Sequence, residues 1–363
     1  MRDHRIVQYA SNMVDAIDVQ QGWQVLVAGN ALARPLLEEI TTEVGRRGAY
    51  ALLRVGFGGS LTGPLGWALE APMELLENPS PIELRVLTEV DAMIVVEAPE
   101  NTRNAASLPQ ERLAALEAGV RPAIERVYDG SLPWTAGQFP TPALAQEADM
   151  PTEEFADFLY GAVLLDWDAE RERMRRYAEL FDPAEEVRIV GAETDLRLSI
   201  AGRPIVIDAG ARNMPGGEFF TSPVEDSAEG TIVFGEFPAV YAGRECRGIR
   251  LRFEGGVVVD ASAEQNEEFL VSMLDSDEGA RRLGELGIGC NPGITRHMKN
   301  TLFDEKMDGT MHLALGNGIP ECGGQNHSAI HWDIVKDLRN GGRIELDGEV
   351  VQENGAWNVP VPA

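Results

Sequence analysis

QVLVAGNALARPLLEEITTEVGRRGAYALLRV, residues 24–55, decides the fold of the first half of the chain. Gln24–Ala28 is an apolar run that follows the turn Gln21-Gly22, so it reads as a strand. Ala33–Arg47 repeats its apolar residues at helical spacing, and Tyr50–Val55 is apolar again. Strand, helix and strand at this spacing form a βαβ unit, which requires parallel pairing of the two strands. The pattern continues with a helix over Pro81–Val90, a third strand over Ala92–Glu97 (AMIVVE) and a long helix over Pro109–Val127. The expected fold class of residues 1–184 is therefore α/β with a mostly parallel sheet.

Two more helices complete this half. Thr152 precedes the acidic pair Glu153-Glu154 and an apolar face through Phe155, Phe158, Leu159 and Val163, which predicts an N-cap at Thr152. Asp168–Phe181 (DAERERMRRYAELF) mixes arginines with acids at i,i+3 and i,i+4 spacing, so it reads as a salt-bridged surface helix. Pro183 ends it, and the domain boundary is expected at 184/185. From there the texture changes to short strands and Gly-rich turns: Val187–Val190, Leu196–Ile200, Ile205–Asp208, and hairpins at Gly255-Gly256 and Asp347-Gly348. Helices are expected only over Asn266–Leu274 and Asp277–Leu283. Residues 185–363 thus read as a strand-rich α+β domain.

Composition narrows the function. The chain has 59 Asp and Glu against 31 Lys and Arg, a net charge of −28, and its only lysines are Lys299, Lys306 and Lys336. No basic stripe exists to meet phosphates, which excludes nucleic acid as a partner. The acids are dispersed rather than gathered in a tail, and this predicts a halophilic protein suited to a salty cytoplasm. No apolar run is long enough to span a membrane, and the first residues have no signal-peptide core, so a cytoplasmic location is expected. Cys246, Cys290 and Cys322 are too few and too scattered for a disulfide framework or a zinc ribbon.

Chemistry concentrates in the second half. Three of the five histidines, His312, His327 and His331, fall close together. His331 and Asp333 stand two apart in AIHWD, hence on one face of a strand, where both can hold one ion. His312 interrupts the apolar strand of GTMHLALG. Glu218 follows a Pro-Gly-Gly turn, and Glu285 is the lone carboxylate of LGELGIG. Carboxylates in such apolar surroundings need a paired charge or a bound cation. Two Glu, two His and one Asp suit a two-metal hydrolytic site in which one carboxylate bridges the ions and a shared water is activated.

The motifs NMPGGEFFTSP (213–223), LGELGIGCNPGI (283–294), FDEKMDGTMHLALG (303–316) and GGQNHSAIHWDIV (323–335) resemble, in order, those of the aminopeptidase T/aminopeptidase S metallopeptidases. DVQQGWQVLVAG (18–29) is similar to that family's opening strand. The resemblance implies a metal-dependent aminopeptidase acting on leucine-type N-termini of peptides. It implies Glu218, Glu285, His312, His331 and Asp333 as metal ligands, with Glu218 and Glu285 also the catalytic carboxylates. Two divalent ions (Zn, Co or Mn) are implied as cofactors, and a homodimer as the assembly. One position departs from the family: its tyrosine, seven residues after the GTxH histidine, is Ile319 here. That departure keeps two alternatives in view, a mononuclear Fe(II) ring-cleaving enzyme of the dihydroxypyridine dioxygenase type and a non-catalytic relative. Lys306 could meet a substrate carboxylate or serve a structural ion pair, and His327 is a further possible member of the site.

Overall fold

A computed structural model of the chain describes residues 3–358 except 58–64, 79, 105–107, 110, 113–114, 117–118, 120–125, 128–129 and 242. The chain divides into two compact units, residues 1–164 with 210–216, and residues 165–209 with 217–363.

The first unit is built on a five-stranded parallel sheet in the order Tyr50–Gly56, Gln24–Asn30, Ala92–Glu97, Trp134–Gln138, Asn213–Met214. The strands Gln24–Asn30 and Ala92–Glu97 are buried almost throughout, as inner strands of a parallel sheet covered on both faces must be. The expected βαβ unit is present, with its helix at Arg34–Arg46. The helix predicted over Pro109–Val127 lies largely outside the described residues. Thr152 is not a cap: it is the first residue of the helix Thr152–Val163, and Pro151 occupies the cap position without a side-chain bond. Proline serves there because its fixed φ suits the turn from extended chain into helix.

Among the described residues the second unit contains, besides a small two-stranded sheet of Ala239–Tyr241 with Arg244–Cys246, two large antiparallel sheets. One has eight strands, in the order Val257–Ser262, Ile249–Glu254, Glu229–Phe234, Thr194–Ser199, Glu186–Gly191, Arg343–Leu346, Glu349–Glu353, Ala356–Trp357. The other has five, in the order His331–Asp337, Thr310–Gly316, Leu283–Gly289, Glu218–Thr221, Val206–Asp208. Residues from both sheets, among them Ile232, Leu251, Leu286, Leu313, Trp332 and Ile344, share one apolar core. Both predicted hairpin turns form, and Gly255, Gly256, Asp347 and Gly348 all take the positive φ that such tight turns need.

Helix Trp167–Phe181 buries Met174, Tyr177, Ala178 and Phe181 in that same core, so it belongs to the second unit rather than closing the first. The division of the chain therefore falls one helix earlier than the expected 184/185. Its arginines pair within the helix, Arg171 with Asp168, Arg173 with Glu170, and Arg175 and Arg176 with Glu172. Of the two predicted helices in this half, Glu267–Leu274 forms, whereas 277–283 yields only a single 3-10 turn, Glu278–Arg281. The turn is cut short at its C-terminal end: Asp277 caps Ala280 as a helix start requires, but Arg282 is already extended, its carbonyl accepts from the Gly316 amide, and Leu283 opens the strand Leu283–Gly289. All three cysteines are free and buried.

Candidate metal centre

The five-stranded sheet sorts its residues by parity. Register places Glu285, Ala314 and Asp333 in one row across three strands, Gly287 beside His312 in the next, and Gly289 beside Glu218 in the third. His331 and Asp333 are two apart on their own strand. Side chains alternate between faces along a strand, so Glu218, Glu285, His312, His331 and Asp333 all project from one face. Their neighbours Phe219, Leu286, Ile288, Leu313, Trp332 and Ile334 project from the other, into the core. The alternation that builds the core thus also assembles the polar cluster.

Gly287 lies beneath the His312 ring. A β-carbon there would stand 2.0 Å from His312 Cε1 and 2.1 Å from Nε2, so any side chain at 287 would displace the imidazole. Gly289 plays the same part for the segment that crosses it, because a β-carbon would fall 2.2 Å from the Met307 carbonyl oxygen. That crossing brings Glu305 and Lys306 down onto the polar face.

The two imidazoles are oriented alike. His312 Nδ1 lies 3.1 Å from the Glu305 carbonyl oxygen and His331 Nδ1 lies 2.9 Å from that of Asn317. Donation of each Nδ1–H to a carbonyl leaves Nε2 as the nitrogen facing the carboxylates, the arrangement typical of a ligating histidine. His312 Nε2 stands 3.3 Å from Glu285 Oε1 and 3.6 Å from Glu218 Oε2. His331 Nε2 stands 3.1 Å from Glu285 Oε2 and 3.4 Å from Asp333 Oδ1. Glu285 therefore lies between the two histidines and presents one oxygen to each.

The electrostatics call for cations. Burial alone would lower the pKa of His312, but Glu285 and Glu218 outweigh it and raise it to about 10. His331 is pushed up to about 12 against its burial, chiefly by Asp333 and Glu285. Burial is the leading influence on Glu218 and raises its carboxyl despite the adjacent Lys306. Glu218 Oε2 and Asp333 Oδ1 are buried without a well-formed hydrogen bond, each facing a histidine Nε2, at 3.6 Å and 3.4 Å. Carboxylate oxygens buried in this way forfeit their hydration, and a divalent ion is the partner that would restore it. Three overlapping groups have ligand atoms within 4.8 Å of one another: Glu218, Glu285 and His312; Glu285, His331 and Asp333; Glu305, His312 and Asp333. Oxygen and imidazole donors in such groups fit first-row divalent ions.

All five residues singled out in the sequence come together here. Glu305 is the member the sequence reading missed. Its position in Asp304-Glu305-Lys306 looks like surface charge, although the flanking Phe303 and Met307 and the scarcity of lysine hint at a buried segment. Lys306 is wholly buried, with Nζ 3.0 Å from Glu218 Oε1 and in contact with Glu305, which makes it an internal ion pair. His327 is exposed and enters none of the groups. His297 is taken up elsewhere, stacked on Phe237 and 3.2 Å from Asp304. The Ile319 amide donates to Ser222 Oγ at 2.9 Å, which fixes the backbone at the position where the resemblance leads us to expect a tyrosine.

A sheet face bearing two aligned imidazoles and three carboxylates, with a fourth supplied by Glu305 from the segment that crosses it, is a site that could hold metal ions. Comparison with known proteins sharpens that reading. The profile of the thermophilic metalloprotease (M29) family matches residues 2–357, and the chain belongs to that family. Aminopeptidase 2 of Geobacillus stearothermophilus is 30% identical over 271 residues, which make up 62% of this chain and 65% of that protein. Aminopeptidase T of Thermus aquaticus is 29% identical over 292 residues, 68% of this chain and 70% of that protein. About a third of each relative's length therefore lies outside the matched stretch. Among solved structures, wild-type AmpT from Thermus thermophilus superposes with a TM-score of 0.83 at 24% identity, covering 98% of this chain and 100% of that one. The 2,5-dihydroxypyridine dioxygenase of Pseudomonas putida KT2440 has a TM-score of 0.62 at 18% identity, covering 98% and 97%. Both structural likenesses are ones of fold. No helix among the described residues is long and apolar enough to cross a membrane.

Proposed function

We propose that the chain is a metal-dependent aminopeptidase that holds two divalent ions and releases leucine-type N-terminal residues from peptides. The observation that carries this reading is Glu285, which belongs to two ligand groups and turns one carboxylate oxygen toward each histidine. A bridging carboxylate is what a pair of ions requires. In this reading Glu218 and His312 serve one ion, His331 and Asp333 the other. Bound ions supply Lewis acidity and an activated water. The chain's own residues hold Nε2 of both imidazoles and the carboxylate oxygens in fixed positions, and Glu218 and Glu285 are the carboxylates assigned the catalytic role. Membership of the M29 family supports the hydrolytic reading over the ring-cleaving one. Retention of both Glu218 and Glu285 supports it too, since a single ferrous ion needs only two histidines and one carboxylate.

Purified protein loaded in turn with Zn²⁺, Co²⁺ and Mn²⁺ is expected to cleave leucine anilides and leave dihydroxypyridines intact, and His331→Ala is expected to be inactive. Ring cleavage, or anilide turnover that persists in His331→Ala, would refute the proposal.

The chain is read as a homodimer and as a halophilic, cytoplasmic protein. Tyr50, Leu53, Val55 and Phe57, on and beside the edge strand of the parallel sheet, are exposed, the kind of apolar surface a subunit contact covers. The dispersed net charge of −28 supports the salt reading. The Debye length shrinks from about 10 Å at 0.1 M to about 3 Å at 1 M salt, which removes most self-repulsion between surface acids. The thermal midpoint is expected to climb by several degrees over that range of KCl. A midpoint indifferent to salt would leave the halophilic reading without support.

A further inference from the structure

Lys306 has no place in the chemistry described so far, yet it is the most enclosed charge in the unit. Its side chain is entirely buried, and its Nζ meets Glu218 Oε1 at 3.0 Å and touches Glu305 Oε1. Burial alone would lower its pKa, but Glu218, Glu305 and Asp208 together outweigh that and keep it protonated. The main chain is built to deliver it. Gly289 admits the Lys306–Met307 backbone against the sheet, and the Lys306 carbonyl accepts from the Asn291 amide at 2.8 Å. A buried lysine costs several kcal/mol of desolvation unless it is fully paired, so a purely apolar filler would serve stability as well.

What distinguishes Lys306 is which oxygens it occupies. On Glu218 it takes Oε1, and the remaining Oε2 is buried, without a hydrogen bond, 3.6 Å from His312 Nε2. On Glu305 it likewise takes Oε1. We propose that Lys306 is a positioning residue that restricts Glu218 and Glu305 to one free oxygen each, and so biases the centre toward ions of low coordination number. This rests on the reading of the cluster as a metal centre. A carboxylate free to use both oxygens raises the coordination number. That favours Ca²⁺, which takes six to eight oxygens, over Zn²⁺, which is satisfied by about four ligands.

The test is the ratio of Zn²⁺ to Ca²⁺ affinity, measured by equilibrium dialysis on full-length wild type and Lys306→Met. Both ions carry the same charge, so loss of the lysine's repulsion raises both affinities alike and cancels in the ratio. The ratio is expected to fall about ten- to hundredfold, the scale on which residues orienting metal ligands act. The visible absorption of the Co²⁺-loaded variant is expected to weaken as its coordination number rises. If Lys306→Met does not fold, Lys306→Gln substitutes, since its amide can still donate to one of the two carboxylates; a smaller drop in the ratio is then expected. A folded variant with wild-type ratio and wild-type cobalt spectrum overturns the proposal and reduces Lys306 to an internal ion pair. Wild type that takes up neither Zn²⁺ nor Co²⁺ overturns the metal reading itself, and this proposal with it.

Discussion

Glu285→Ala is expected to empty the centre of both ions and to abolish turnover. Glu285 is the one residue whose two oxygens address both histidines, at 3.3 Å and 3.1 Å. Its loss therefore strips both imidazoles of a shared counter-charge in one step, although His312 and Asp333 also each belong to two of the ligand groups. Turnover should fall by more than the ~10²–10³-fold that a single lost electrostatic contact costs an enzyme. Metal content per chain, measured after dialysis, decides the cause. Near-zero content in Glu285→Ala beside about two ions in wild type is the expected pair of values. Unchanged content would mean that Glu285 bridges nothing. Glu285→Gln retains the shape and loses the charge, so it is expected to behave like the alanine variant.

Gly287→Ala is expected to cost nearly as much activity although it adds only a methyl group. The added carbon would sit 2.0 Å from His312 Cε1, far inside any tolerated contact. The ring cannot retreat freely, because its Nδ1 is held by the Glu305 carbonyl at 3.1 Å. His312 must therefore tilt, and its Nε2 leaves the position that faces Glu218 and Glu285. Metal affinity should drop by at least the ~10–100-fold typical of disturbed ligand orientation. Overpacking should destabilise the fold by about 1–3 kcal/mol. The double variant Gly287→Ala, His312→Ala provides the check: removal of the ring relieves the clash, so stability should recover while activity does not. A double variant as unstable as the sum of the single ones would show that the methyl group clashes with something other than the ring.

Much of this architecture is legible from residue order. The parallel sheet is read from apolar runs separated by one helical length, and the hairpins from Gly255-Gly256 and Asp347-Gly348, because both signals are local. The convergence of Glu218, Glu285, His312, His331 and Asp333 is also foreseeable: Glu285 and His312 interrupt apolar runs, Glu218 stands between a Pro-Gly-Gly turn and two aromatics, and His331 and Asp333 are two apart on one strand. The failures share one cause, which is dependence on distant partners. The 277–283 segment has helical composition, but pairing with the distant strand Thr310–Gly316 draws Arg282 and Leu283 into the sheet. Helix Trp167–Phe181 carries its own salt bridges and gives no sign of which core its apolar face enters. Glu305 becomes visible only when the backbone beyond it is seen to cross Gly289. Burial of Lys306 is likewise a fact of packing, and its sequence neighbours give equal weight to contact with a substrate carboxylate.

All five side chains first singled out stand on strands, and the four strands that carry them are joined by antiparallel ladders, with one irregularity between Leu283 and Glu285. Laddered core strands belong to the most stable part of a fold, so the geometry of these five residues is set during folding and does not await an encounter. The segments 290–300 and 317–330 lie outside the sheet's strands and are fastened by loop contacts such as Asn291 to Lys306, Asn300 to Asp304, Ile319 to Ser222 and Ala329 to Asp277. Under the proposed activity, discrimination among peptides falls to loops of this kind rather than to the strands. A rewritten loop can therefore change what is admitted while the apparatus beneath it stays as it was.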